Sequence, residues 1–177
     1  MKIFGLVGWS GSGKTTLLVS LLPELIGRGL RVSTMKHTHH SVDLDRPGKD
    51  TFRHREAGAA EVVLLSSSRW TLMHELRGSP EPTPEQMIPR LAPVDLLLVE
   101  GFKKLRHDKL EIWRRSAGKP PLFPEDEHIV AVASDAPLPG VSLPCFALDD
   151  VPAIADFVLA HCGLSPRQGV GDAPPAG

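Results

Sequence analysis

The chain has 177 residues, 41% of them hydrophobic and 23% charged, with a formal net charge of -1. That length suits one domain able to bury about two-thirds of the surface its unfolded chain exposes, and the balanced charge does not indicate a large nucleic-acid-binding face. Cys145 and Cys162 lack C-x-x-C spacing, which argues against a disulfide framework or cysteine-rich zinc site and in favour of two buried thiols. No run approaches the ~18 apolar residues of a membrane span, and the apolar start from Met1 to Val7 is too short for a secretory signal. The expected location is the cytoplasm.

The first strand is read in Ile3-Phe4-Gly5-Leu6-Val7. Directly behind it stands Gly8-Trp9-Ser10-Gly11-Ser12-Gly13-Lys14-Thr15-Thr16, which contains the pattern G-x-x-x-x-G-K-[ST] of a phosphate-binding loop. Average residue usage gives this pattern well under a ~1% chance of arising in a chain of this length. Its glycines let the backbone curl so that N–H groups point at phosphate oxygens; Lys14 reaches the outer phosphates, and Thr15 offers its hydroxyl to Mg²⁺. The candidate binding set is therefore Gly8, Ser10, Gly11, Ser12, Gly13, Lys14, Thr15 and Thr16. A helix beginning near Gly13, with Leu17, Leu18, Leu21, Leu22 and Leu25 at helical spacing, adds the positive end of its dipole. It should run to Gly27 or Gly29, with Pro23 bending it near Val19 or ending it early.

Leu30 to Met35 reads as a second strand, reached through a helical crossover and hence parallel to the first. Its carboxyl end delivers Lys36-His37-Thr38-His39-His40 to the side where open α/β sheets bind ligands. His37 and His39 share a face on an extended backbone, either as polar lining for phosphate or as the start of a metal site. Asp43 to Asp50 has the chemistry of a mobile loop over the crevice. A short helix from Thr51 to Ala57 closes at Gly58, and strands follow at Glu61 to Ser66 and Trp70 to Met73.

Thr83, Pro84 and Gln86 form a capping box for a helix that ends before Pro93. Asp95-Leu96-Leu97-Leu98-Val99-Glu100-Gly101 is a continuous apolar strand ending in a carboxylate, the pattern of a central strand buried on both faces. Glu100, with Asp95 as a further candidate, is assigned to the Mg²⁺ side of the site, and Gly101 joins the nucleotide-binding set. Lys103, Lys104, Arg106, His107 and Lys109 form a basic run, either merely solvated or an anion-recognition surface. Two strands at Lys109 to Trp113 and His128 to Ala133, the second leading to Asp135, precede a short strand closing at Phe146. A final helix is capped by Asp149 or Asp150 and stopped by Gly163. Residues 1–164 are thus expected to form one P-loop domain of the α/β class, a mostly parallel sheet with helices on both faces, followed by a disordered tail over 165–177.

Taken in order, four blocks resemble the MobB family, the molybdopterin-guanine dinucleotide biosynthesis adapter proteins. They are Gly8 to Thr16; Lys36-His37-Thr38-His39-His40; Asp45 to Arg53 with Ala57-Gly58-Ala59; and Leu98-Val99-Glu100-Gly101-Phe102-Lys103. The resemblance covers most of residues 1–160. It implies a GTP-binding protein with Mg²⁺ and at most weak GTP hydrolysis, typically a homodimer. Such a protein assists the nucleotidyltransferase MobA in attaching GMP to molybdopterin, or helps cofactor delivery to molybdoenzyme apoproteins. Asp43 and Asp45 are candidates for orienting water, since no glutamine is evidently placed for it. No Asn-Lys-x-Asp turn is present to read guanine, and Asp135 is its substitute, or else an ordinary turn aspartate. Trp9 occupies the position of the second lysine of some dimeric relatives, so an intersubunit lysine mechanism is not supported. Arg53 and Arg55 either stabilise charge across a dimer or are plain exposed helix arginines. Alternative readings are a metallochaperone GTPase and a small-molecule kinase whose 36–50 region binds the acceptor.

Overall fold

The computed structural model describes residues 1–38, 42–103 and 105–167. The expected tail from 168 onward, His39, His40 and Lys104 lie outside the described residues. The chain divides into two compact units, Met1–Thr38 with Pro93–Gly177, and His39–Ala92.

In the first unit, strands β1 (Lys2–Val7), β2 (Val32–Lys36), β5 (Leu96–Glu100), β6 (Lys109–Trp113), β7 (Ile129–Ser134) and β8 (Cys145–Ala147) build a six-stranded sheet in the order β2-β5-β1-β6-β7-β8. Every pairing in it is parallel. β5 lies between β2 and β1 with all its residues buried, as its unbroken apolar run predicts. Helices α1 (Lys14–Gly27) and α4 (Val151–Cys162) pack against each other. Leu17, Leu21 and Leu25 of α1 and Ile154 and Val158 of α4 share one core with Phe4, Leu6, Leu98 and Ile112 of the sheet.

The caps follow the sequence closely. Asp150 accepts a hydrogen bond from the Ala153 N–H at the start of α4, and Gly163 ends it in the left-handed conformation. Two expectations need correction. α1 does not end early at Pro23 but runs on to Gly27. Val19 and Pro23 both lie on the exposed side of the helix, where water can satisfy the carbonyl that proline leaves unpaired. β2 begins at Val32 rather than Leu30 because the Leu30 N–H returns to the Leu25 carbonyl in the turn that closes α1.

The second unit holds helix α2 (Asp50–Glu56), strands β3 (Glu61–Leu65) and β4 (Trp70–His74), and a short helix α3 (Pro84–Met87) continued by a 3₁₀ turn, Ile88–Arg90. The capping box of Thr83 and Gln86 forms as read. β3 and β4 pair antiparallel as a separate two-stranded sheet, so these strands do not extend the parallel sheet. A four-residue connection favours a hairpin, whereas parallel neighbours need a long crossover. The cysteines split as well: Cys162 is buried, and burial pushes its thiol up to about 11, but Cys145 is exposed on the short last strand.

Candidate functional site

The phosphate loop runs from the carboxyl end of β1 into the first turn of α1. Gly8 has φ of 151°, and a Cβ there would collide with the Ile112 carbonyl of β6; only glycine lets the loop pass so close to the neighbouring strand. Gly13 enters α1 in the left-handed conformation. The Lys14 ammonium donates to the carbonyls of Gly8, at 3.1 Å, and Trp9, at 2.9 Å, bending back over its own loop. Burial lowers the Lys14 pKa from its ordinary value; Glu100 opposes the shift, and Lys103 and Lys36 add to it. Ser12 Oγ is buried with no hydrogen-bond partner among the described residues, a spare donor inside the loop.

Register brings the carboxylate into place. Leu6 of β1 and Lys36 of β2 flank Glu100 on either side, so the last residue of the central strand sits beside the loop that follows β1. The Thr15 hydroxyl donates to Glu100 Oε1 at 2.8 Å, although 85 residues separate them in sequence. Glu100 is 4% exposed. A hydroxyl and a carboxylate oxygen in contact beside a phosphate cradle are the hard donors that Mg²⁺ takes, so the residues present fit a Mg-nucleotide. Thr15 and Glu100 would hold the ion, which supplies charge neutralisation at the phosphates. Gly101, with φ of 94°, turns the chain directly after Glu100, and its N–H donates to the Leu6 carbonyl.

Asp95 belongs at the other end of the sheet. It precedes β5, accepts from the Arg31 N–H and is paired with Arg167. The ~16 Å rise of a five-residue strand separates it from the metal side, which corrects the assignment of Asp95 to Mg²⁺.

Beside the loop lies a cleft of about 560 Å³ lined by Gly13, Thr16, Arg114, Asp135, Asp149 and neighbouring residues of β7, β8 and α4. Asp135 lies on this wall, with one carboxylate oxygen accepting the Arg115 N–H. Arg114 was not foreseen. Its Nε donates to the Ser12 carbonyl at 2.8 Å and its guanidinium lies against Gly13. The run Trp113-Arg114-Arg115 at the end of a strand was the available signal. Trp9, noted above only for what it replaces, ties the loop to the segment after β6: its indole N–H donates to the Pro120 carbonyl, and the Lys103 ammonium lies 3.9 Å from its ring centroid.

The basic run does not act as one surface. Lys109 is 1% exposed and pairs with Asp126 at 2.7 Å, and His107 is half-buried, its pKa lowered by burial and then by Lys109. Lys103 and Arg106 are exposed. In the second unit, Arg55 is not a plain exposed arginine: it holds Asp43 at 2.8 Å, Asp45 at 3.3 Å and Glu75 at 2.6 Å. Asp45 also accepts from the Thr51 hydroxyl. The His37 and Phe102 rings lie tilted against each other, centroids 5.0 Å apart, and among the described residues no group of three His, Cys, Asp or Glu can hold a metal ion.

The family model for molybdopterin guanine dinucleotide synthesis protein B matches residues 3–135. The chain belongs to the MobB family. The molybdopterin-guanine dinucleotide biosynthesis adapter protein of Escherichia coli (strain K12) is 42% identical over 162 residues, spanning 90% of this chain and 92% of that protein. The adapter protein of Haemophilus influenzae is 42% identical over 163 residues, spanning 89% and 88%. Among solved structures, Bacillus subtilis MobB superposes with a TM-score of 0.71 at 25% identity over 92% of this chain and 98% of that one. A crystal structure of molybdopterin-guanine biosynthesis protein B gives 0.70 at 28% identity, covering 90% and 99%. The parallel sheet, the loop after β1 and these neighbours together establish the α/β P-loop fold for this MobB protein. No described helix is long and apolar enough to cross a membrane.

Proposed function

We propose that this MobB-family protein is a GTP-binding adapter in the biosynthesis of the molybdopterin-guanine dinucleotide cofactor. It assists the nucleotidyltransferase MobA, which joins GMP to molybdopterin, and works in the cytoplasm. The observation that carries this reading is the contact of Thr15 with Glu100 beside the loop over which Lys14 folds, within a family whose curated relatives are adapter proteins of that pathway.

In this reading the loop N–H groups and the start of α1 receive the phosphates, and Lys14 exchanges the Gly8 and Trp9 carbonyls for phosphate oxygens. Asp135 accepts from the N–H groups of guanine in the adjoining cleft. Asp43 and Asp45 are assigned to orienting water, and their engagement by Arg55 accords with slow hydrolysis. Replacing each with alanine should lower phosphate release further; unchanged turnover removes the assignment. A homodimer accords with the exposed apolar residues of the hairpin, among them Val63, Leu65, Trp70 and Leu72.

Calorimetric titration with GTP and ATP analogues in Mg²⁺ tests the reading. The wild type should favour GTP, and Lys14→Ala should weaken binding by about 10- to 100-fold, the worth of charged hydrogen bonds to phosphate. Preference for ATP would favour the kinase reading instead.

A further inference from the structure

Lys36 ends β2, and its register partner is Glu100. In a parallel pair, residues in register project to the same face, and the Lys36 ammonium accordingly reaches Glu100 Oε1 at 3.2 Å and Thr15 Oγ1 at 3.4 Å. These are the same two oxygens that contact each other at 2.8 Å. Lys14 points to the loop carbonyls of Gly8 and Trp9, so Lys36 is the cation placed directly on the buried carboxylate. Glu100 is nearly inaccessible while the Lys36 side chain is 57% exposed. A buried carboxylate needs a counter-charge, and a flexible, solvated ammonium is one that can be displaced.

We propose that Lys36 is a built-in cation of the metal position, competing with Mg²⁺ for Thr15 and Glu100 and supporting nucleotide binding when divalent metal is scarce. The proposal rests on the nucleotide reading above. A divalent ion held by Thr15 and Glu100 must take the oxygens that Lys36 contacts. Lys36 therefore raises the Mg²⁺ concentration needed to fill the site and, in return, keeps positive charge beside the phosphates without metal. This is distinct from a merely structural ion pair, which would alter folding stability but leave the metal dependence unchanged.

The experiment is a titration of full-length protein with a non-hydrolysable GTP analogue, in EDTA and across a Mg²⁺ series, for the wild type, Lys36→Met, Lys36→Arg and Lys103→Met. The readouts are nucleotide Kd without metal and the Mg²⁺ midpoint. Lys36→Met should lose about tenfold in metal-free affinity and shift the midpoint about tenfold lower, the scale of one charge-assisted contact. Lys36→Arg should retain most of the metal-free affinity. Lys103→Met, which removes a charge near the loop without touching Glu100, should leave the midpoint in place. An unshifted midpoint in Lys36→Met, or equal shifts in Lys36→Met and Lys103→Met, overturns the proposal while leaving nucleotide binding intact. Absence of binding by the wild type overturns the nucleotide reading and this proposal with it.

Discussion

The two units of the chain are stabilised by different means. The first keeps a continuous apolar core in which Phe4, Leu21, Leu98, Leu110 and Ile154 are wholly inaccessible. The second has Val62 as the buried hydrophobic residue among its described positions, and exposes Val63, Leu64, Leu65, Trp70 and Leu72. What orders it internally is polar: Arg55 gathers Asp43, Asp45 and Glu75, while Arg77 donates to the carbonyls of Arg55 and Ala59. The difference teaches that the phosphate-loop motif, between β1 and α1, is mounted on the unit that has the continuous apolar core. The other unit leaves the apolar residues of its hairpin on the surface, the kind of patch that a partner would cover.

The contrast can be broken most directly in the core. Leu98→Ala should destabilise the protein by about 2–5 kcal/mol in urea unfolding, whereas Leu64→Ala, on the exposed hairpin, should remain within about 0.5 kcal/mol of the wild type. Comparable losses from the two would refute the division of labour. If the hairpin is the dimer surface, Trp70→Lys should shift the protein from dimer to monomer in sedimentation equilibrium and leave the unfolding midpoint of the monomer nearly unchanged.

A finer test separates the polar network from the apolar core. Arg55→Met should accelerate amide exchange in α2 and the turn after it, where Ala59 donates to the His54 carbonyl, without changing exchange in β5. The smallest effect concerns acid. The Arg31 N–H is the main cause holding Asp95 below its ordinary pKa, with Arg167 contributing. Its stabilisation is therefore complete above the unfolded value of about 3.9 and is lost as pH falls through the lower folded value. Asp95→Asn should make the stability curve less steep below about pH 4. An unchanged slope would show that this ion pair does not couple to folding.

Much of the site was legible because its signals are local. The glycines and Lys14-Thr15 lie within one loop, the apolar run ending in Glu100 announces a central strand, and Thr83, Asp150 and Gly163 mark helix ends by their own backbone chemistry. The misreadings share one cause. Asp95 and Glu100 bracket the same strand and are both carboxylates, so only the strand's direction within the sheet separates an ion-pair residue from a metal-side one. Lys109 reads as one more member of a basic run until Asp126 and the segment after β6 cover it.

By itself, the sequence determined the phosphate loop, the burial of β5 and the capped ends of α3 and α4, since each depends on residues within a few positions of one another. The tertiary structure alone decided that β5 inserts between β2 and β1, that the hairpin forms its own sheet, and that Lys36, Thr15 and Glu100 meet. Strand order and register are choices among distant segments of similar apolar character. They are settled by the collective packing of the core, which no local pattern records.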